Sequence, residues 1–511
     1  MARPRSQNAA PKERKRAKRP KVKTGCITCK YVASLLYEIR HLKCDEGKPA
    51  CQRCLKDRLN CDGYQQGQAS KKAFRIIPFV IRPPIGDNLT SPADAALFHH
   101  ARQCLLVDFE MLDSTGFWQH IVLPRSHAIE PIKYALCALG GAHRRFLATY
   151  AGNTTCLDMD LHVQAVQKYN LAISHMKPVM ETASINNIQT TLICCMVFIC
   201  IENLNGRYED SIRHMRAGCQ LLDSYFEGTG HGPEAHQSGC DVDPAIFTTL
   251  IDMFYWLEQN VSYYFGRLVV CDLNSRGWRA WSEGDPLTPF PSLVDAENGL
   301  MHVDCTYDST FKFKPAPSNP DDWIDHICMQ EVAKRHTIAV SVAKPMLEIW
   351  SSRFELFKTL HTGGILDQQQ QRRLALLSLH QSLWTAFLGR PDVEDDYCAE
   401  DSHTILDKVE ALLEMETSNT RPFFSFDGDL VLSVSIVCAR CRDVDVAVRA
   451  LGLLRTMNRR EGIWDSRKVA DLYELACGAI ESGLVDWECL PRGVPQLAEA
   501  LSRLGLEMPS S

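Results

Sequence analysis

Long hydrophobic runs are absent from this 511-residue chain. The most apolar stretch, residues 192–201, is about ten residues long, half of the roughly 20 that a membrane-crossing helix needs. A membrane segment is therefore not expected. The N-terminus is basic and polar without an apolar h-region, so no secretory signal is expected either. No alternation of apolar and polar residues persists, which argues against a sheet-built body. A sustained heptad is also missing, so coiled-coil dimerisation is unsupported. With no route to an oxidising compartment, the 22 cysteines read as reduced thiols. Sixteen of them are scattered through apolar stretches such as Leu192-Ile193-Cys194-Cys195, where they read as core residues.

What is present is unevenly spread. Residues 1–61 carry 17 Lys and Arg against 5 Asp and Glu, a net charge of +12, whereas the whole chain is −6 and residues 62–511 are therefore −18. The basic head suits a polyanion and the acidic body does not. In residues 1–23, Lys12, Arg14, Lys15, Arg16, Lys18, Arg19, Lys21 and Lys23 are interrupted by prolines. Such a segment cannot bury enough apolar surface to fold. It reads as a disordered arm that engages the nuclear import machinery and contacts DNA phosphates; the plainer alternative is a solvated tail.

Residues 24–64 hold six cysteines, Cys26, Cys29, Cys44, Cys51, Cys54 and Cys61, in two similar halves of Cys-x-x-Cys followed by a later Cys. Tetrahedral zinc takes four ligands. Six thiolates can fill the eight positions of two Zn²⁺ only if two of them bridge, and the internal symmetry nominates Cys26 and Cys51. Two Zn²⁺ with six thiolates carry a net −2, which the surrounding Lys and Arg offset. The competing reading, an oxidised disulfide knot, fits poorly with reduced thiols.

The flanking residues are Thr24-Gly25-Cys26-Ile27-Thr28-Cys29-Lys30, Ile39-Arg40-His41-Leu42-Lys43-Cys44-Asp45-Glu46, Lys48-Pro49-Ala50-Cys51-Gln52-Arg53-Cys54 and Asn60-Cys61. Together with the spacing they resemble the fungal Zn2Cys6 binuclear-cluster family of transcription factors, in which the first and fourth cysteines bridge. The resemblance implies that the helix after the second cysteine enters the major groove and reads a CGG-like triplet of double-stranded DNA. Lys30, Arg40, His41 and Lys43 would be the readers, because guanine O6 and N7 accept from such donors. Arg53, Lys56 and Arg58 would contact phosphates, and the plainer alternative is that all seven do.

One feature departs from the family. Residues 31–38, Tyr-Val-Ala-Ser-Leu-Leu-Tyr-Glu, separate Cys29 from Cys44, and removing them restores the family spacing. Lengthening that loop from six to fourteen residues costs on the order of 0.8 kcal/mol in closure entropy, against roughly 10–16 kcal/mol for structural zinc. Metal assembly is expected to survive, with docking on DNA the more vulnerable step. Because Lys-Tyr-Val can be encoded by a run containing a splice-donor-like GTATGT, a misplaced exon junction is a second explanation.

After a linker at residues 65–90, residues 91–511 read as one large all-α regulatory domain. Ser91 is an N-cap followed by Pro92, with Asp94 in the first turn. Further helices are expected at 131–149, 161–176, 188–203 and 207–223, the last carrying an apolar stripe of Tyr208, Ile212, Met215, Cys219 and Leu222. Asn205-Gly206 should turn the chain between the last two. Several phrases resemble the fungal-specific transcription factor domain: Phe117-Trp118, Glu130-Pro131 through Gly140 and His143, Tyr169-Asn170, Gly206-Arg207-Tyr208-Glu209 with Arg213-His214, Arg440-Cys441-Arg442-Asp443, and Arg459-Arg460-Glu461-Gly462 with Trp464-Asp465.

Three other constellations compete for attention. Cys438-x-x-Cys441 has metal or redox spacing but no partner ligands nearby, and reads as core. Asp321-Asp322-Trp323-Ile324-Asp325 spells the D-D-x-x-D of isoprenoid-type all-α enzymes, yet it follows Ser318-Asn319-Pro320 as an acidic helix start would, and no second metal motif accompanies it. The acidic residues 392–401 with Tyr397 read as a solvated loop, with coactivator contact as the alternative. The expectation is a non-enzymatic nuclear regulator of RNA polymerase II transcription, its helical body acting through a coactivator or a small-molecule effector. An interaction protein whose cluster is impaired by residues 31–38 is the main alternative, and an isoprenoid-type enzyme the remote one.

Overall fold

The computed structural model describes residues 45, 47, 48, 51, 52 and 56 and, farther along, 91–112, 115–150, 156–181, 185–229, 244–265, 284–311, 329–361, 366–392, 395–416, 421–426 and 428–506. The chain divides into two compact units, residues 1–84 and 85–511.

Helix α1 (Pro92–His100) begins as its sequence dictates. The Ser91 hydroxyl oxygen accepts the N–H of Asp94 at 3.1 Å, and proline occupies the first helical turn. Asp94 has a further use, since it is buried and paired with Lys168 at 2.7 Å. A π-helical stretch, Ala101–Leu105, leads into α2 (Leu106–Leu112), and a second, Phe117–Val122, runs into α3 (Leu123–Ser126). The four helices expected next are α4 (Glu130–Tyr150), α5 (Cys156–Met180), α6 (Ile185–Leu204) and α7 (Tyr208–Thr229). Gly206 takes the left-handed conformation, φ +70°, in the turn between α6 and α7.

Helix α6 is apolar all round and lies in the centre of the body, as such a helix must. By length and composition Asn186–Leu204 could cross a bilayer, longer than the ten-residue run suggests, but 89% of that window is buried inside the protein. The stripe on α7 faces inward, with Ile212, Met215, Cys219 and Leu222 all in the core. Two glycines let neighbouring helices close on α4. A Cβ on Gly140 would sit 2.1 Å from the Leu97 carbonyl oxygen, and one on Gly141 would sit 2.3 Å from Ala165 Cβ.

The rest of the body adds α8 (Pro244–Phe265), α9 (Leu293–Phe311), α10 (Met329–His361), α11 (Gln368–Leu388), α12 (Ala399–Met415), α13 (Leu430–Arg440), α14 (Val444–Met457), α15 (Ser466–Glu481) and α16 (Val494–Arg503). A second, smaller apolar cluster forms between α9, α10 and α11 around Phe290, Trp350 and Phe354, where the Trp350 indole donates to the Ala296 carbonyl at 2.8 Å.

The body is helical, as expected, with one addition. Strands β1 (Phe423–Ser425), β2 (Arg459–Glu461) and β3 (Trp464–Asp465) form a small ribbon. β1 runs parallel to β2, with Phe423 opposite Arg459, and β2 runs antiparallel to β3, with Arg460 opposite Asp465. Gly462, at φ +55°, supplies the tight reversal between β2 and β3.

Within the acidic stretch 392–401, which reads as a solvated loop, the described residues are anchored at several points although Asp395, Cys398 and Glu400 are exposed. Tyr397 is buried and its N–H donates to the Arg440 carbonyl at 2.6 Å. Asp396 pairs with both Arg442 and Arg492, and Arg390 donates to the Asp395 carbonyl at 2.6 Å. Cys438 and Cys441 are buried thiols in no disulfide, and burial pushes the Cys438 thiol well above its ordinary value. Asp321, Asp322 and Asp325 lie outside the described residues, as does the linker.

Candidate functional site

In the N-terminal unit, Cys51 is fully buried and in no disulfide. It stands immediately before a helical residue, Gln52, whose N–H donates to the Asp45 carboxylate at 3.0 Å. That bond satisfies a donor that a helix start leaves orphaned. It also ties the residue after Cys44 to the residue after Cys51, in a segment too short to bury a core of its own. Lys56 is helical and exposed. A buried thiol flanked by basic residues suits a thiolate–zinc bond, since soft sulfur ligands are what structural zinc takes. Cys26, Cys29, Cys44, Cys54 and Cys61 lie outside the described residues, as do Lys30, Arg40, His41, Lys43, Arg53, Arg58, the residues 31–38 and the whole basic arm.

In the body, the most concentrated chemistry surrounds the ribbon. Arg460 is buried, and its Nε and Nη2 donate to Asp465 Oδ2 at 2.9 and 2.5 Å. Its Nη1 donates to the carbonyls of Asn203 and Leu204 at 3.0 and 3.1 Å, adding to the backbone bonds from Asn205, Gly206 and Arg207 that already close the last turn of α6. The Tyr150 hydroxyl donates to the same Asp465 oxygen, while Asp465 Oδ1 accepts from the N–H groups of Arg467 and Lys468 and so caps α15. Burial alone would raise the Asp465 pKa, but Arg460 and these donors hold it below the usual carboxylate range.

Arg459 lies against the Phe423 ring, 4.7 Å from its centre, and pairs with Glu461 and Glu416, each at 3.1 Å. Glu461 Oε2 also accepts the N–H of Val431 at 2.8 Å, at the start of α13. Burial pushes Glu461 up to about 7, against the pull of Arg459. A second network joins three helices. Tyr169 of α5 donates to Glu202 of α6 at 2.6 Å and lies 2.8 Å from His214 of α7, while Arg207 pairs with Glu202 at 2.7 Å. Burial lowers the His214 pKa.

These networks join helices and ribbon through buried ion pairs and caps, which is the arrangement of structural polar cores. Sequence reasoning picked out most of their residues as phrases without foreseeing that the charges would be buried. The paired opposite charges of Arg459-Arg460 and Asp465 around Gly462 were the available signal. Among the described residues, no group of three or more His, Cys, Asp or Glu could hold a metal.

Both the cysteine-patterned head and the helical body match known domains. Residues 24–71 match the fungal Zn(2)-Cys(6) binuclear cluster domain, and residues 110–263 match the fungal specific transcription factor domain. The chain carries both domains, the zinc cluster and the fungal specific transcription factor domain, and its relatives are fungal transcription regulators. It is 23% identical over 553 residues, 87% of this chain and 85% of the relative, to the aspercryptin biosynthesis cluster-specific transcription regulator atnN of Emericella nidulans. It is 26% identical over 207 residues, 37% of this chain and 48% of the relative, to the transcription regulator lscL of Purpureocillium lilacinum. A shorter match of 54 residues, 11% of this chain and 9% of the relative, is 40% identical to the transcriptional regulatory protein moc3 of Schizosaccharomyces pombe. No solved structure matches. The zinc-cluster domain implies zinc binding, DNA as a partner and a nuclear setting, and transcription regulators are generally not enzymes.

Proposed function

We propose that the chain is a sequence-specific DNA-binding regulator of RNA polymerase II transcription, in which two Zn²⁺ fold residues 24–64 into the reading head. Cys26, Cys29, Cys44, Cys51, Cys54 and Cys61 are the ligands, with Cys26 and Cys51 bridging. The observation that carries this reading is the repeated six-cysteine pattern inside the matched cluster domain. The buried Cys51 thiol and the Asp45–Gln52 bond support it, because they draw the two halves of the pattern together. When bound, the metal supplies the covalent scaffold that the short segment lacks.

Arg40, His41, Lys43 and Lys30 read base edges of a CGG-like triplet, and Arg53, Lys56 and Arg58 hold phosphates. The arm from Lys12 to Lys23 adds sequence-independent affinity and serves nuclear import. The helical body transmits regulatory contacts. Electrophoretic mobility assays on the full chain, with CGG-containing and scrambled duplexes, test this directly, alongside zinc content by mass spectrometry. The expected result is two zinc ions per chain and preference for the CGG duplex. Equal affinity for both duplexes, in the chain and in its counterpart lacking residues 31–38, would refute base reading; preference restored only in the shortened chain would assign the defect to those eight residues.

A further inference from the structure

Helix α10 (Met329–His361) has 33 residues, about 50 Å from end to end. One face packs into the second apolar cluster, where Ala343, Leu347, Trp350, Phe354 and Phe357 are buried. Another face is apolar as well, yet it meets solvent. Ile338 is 47% exposed, Val342 42%, Leu356 37% and Leu360 68%, with Pro345 exposed and Ile349 half-buried between them. These six are spaced four, three, four, seven and four residues apart, so at 3.6 residues per turn they fall in a single stripe.

Water does not call for such a stripe. On a solvated helix surface Ala, Lys, Glu and Gln are favoured, whereas β-branched Ile and Val lose rotamer freedom and proline removes a backbone hydrogen bond. An exposed apolar row about 33 Å long, at 1.5 Å per residue, marks a surface that another molecule covers.

The symmetry of the stripe says which molecule. Counting from Ile349, Val342 and Leu356 lie seven residues to either side, and Ile338 and Leu360 lie eleven. A second α10 laid antiparallel about a two-fold axis at Ile349 therefore sets Ile349 on Ile349, Val342 on Leu356 and Ile338 on Leu360. An isologous contact requires this self-complementarity, and an unrelated partner does not. Charge follows the same axis. Lys344 and Glu355 share one shoulder of the stripe, and the two-fold brings Lys344 of one copy to within one residue of the level of Glu355 on the other. Glu355 is 56% exposed even though its own Lys358 pairs with it at 2.7 Å, so it has room for a second cation. Glu348 meets its own copy near the axis, which limits affinity. Pro345 and Ser352 interrupt the row, so it does not read as a sustained heptad.

We propose that this face of α10 is where two copies of the chain pair, antiparallel and reversibly. A strip about 33 Å long and about 10–12 Å wide on each copy gives roughly 650–800 Å² for the two together, below the about 1,200 Å² of a stable complex. The dimer therefore forms at tens of micromolar rather than at nanomolar concentration. The contact lies in the body and needs no DNA, so its failure would leave the DNA-binding reading standing.

Sedimentation equilibrium of the full zinc-loaded chain without DNA, from one to several hundred micromolar, is the test. The wild type should pass from monomer to dimer across that range. Val342→Glu should weaken pairing at least tenfold, and so should Leu356→Lys. With both in one chain, each glutamate meets the lysine of the other copy and pairing should return; parallel copies would set position 342 on 342 and give no such rescue. Both side chains are more than a third exposed, so the variants should fold, and circular dichroism melting checks that they do. Val448→Glu, at an exposed valine of α14, should leave pairing unchanged. A chain that stays monomeric at hundreds of micromolar would assign the stripe to a different protein and overturn the proposal. So would a dimer indifferent to Val342→Glu, one equally sensitive to Val448→Glu, or a folded double variant that remains monomeric.

Discussion

Glu461 is a carboxylate enclosed by protein whose pKa burial raises from 4.5 to about 7, despite Arg459 beside it. The folded protein therefore holds a proton there that the unfolded chain has already released between those two values. Its contribution to stability is full below pH 4.5 and is lost as pH rises through 7. His100 works in the opposite sense: burial, then Arg144, lower it to about 4, so its contribution is full above 6.5 and is lost as pH falls toward 4. Glu461→Gln isolates the first effect. Measured by urea denaturation, the stability of the wild type relative to this variant should fall between pH 4.5 and 7 by an amount on the order of 3 kcal/mol, and then level off. A difference that stays constant across that range would show that Glu461 does not titrate as its burial requires. None of this was visible in Arg459-Arg460-Glu461, which stood out only as a family-like phrase. Three consecutive charged residues are buried here only because Asp465, Glu416 and the end of α6 arrive from elsewhere in the chain to meet them.

At the scale of elements, the sequence was most informative where periodicity was long. Helices α4 to α7 lie within six residues of the expected boundaries, since their apolar stripes, the Ser91 cap and the Asn205-Gly206 turn are local signals. The ribbon was missed for an equally physical reason. Strands of three and two residues are too short for alternation to register, and the pairing of β1 with β2 joins segments more than thirty positions apart in the chain. In the head, the cysteine spacing and family match carried the zinc reading, while the placement of base-contacting side chains was not legible. Of the glycines of α4 only Gly140 falls within a family-like phrase, yet Gly140 and Gly141 set how closely α1 and α5 approach. Gly140→Ala would drive a methyl group into the Leu97 carbonyl. Backbone cannot yield as a flexible side chain does, so a destabilisation of about 1–3 kcal/mol is expected. Thermal denaturation of Gly140→Ala against Ala142→Gly, a control two residues away, would reveal whether the approach of α1 is the cause.

Over the whole molecule, charge and metal divide the labour between two compact units. Cys51→Ala should release zinc and abolish DNA binding while leaving the melting of the helical body unchanged; calorimetry together with zinc content checks both halves of that statement. Loss of the body transition in the same variant would contradict independent folding. Deleting residues 1–23 should lower affinity alike for every DNA sequence and flatten its salt dependence, because each phosphate that the arm no longer neutralises reduces the slope of log K against log salt by about 0.9. A deletion that altered sequence preference instead would assign the arm a reading role.

The Arg460 clasp also bears on how the protein is made. Its guanidinium closes the end of α6 across more than 250 residues, and Tyr150 reaches Asp465 across 315. On the ribosome, the amino-terminal helices are therefore finished long before the groups that lock them have been synthesised. A chain interrupted between residues 204 and 460 would carry an apolar central helix without the clasp across its end, a species that chaperones would have to shelter or proteases remove.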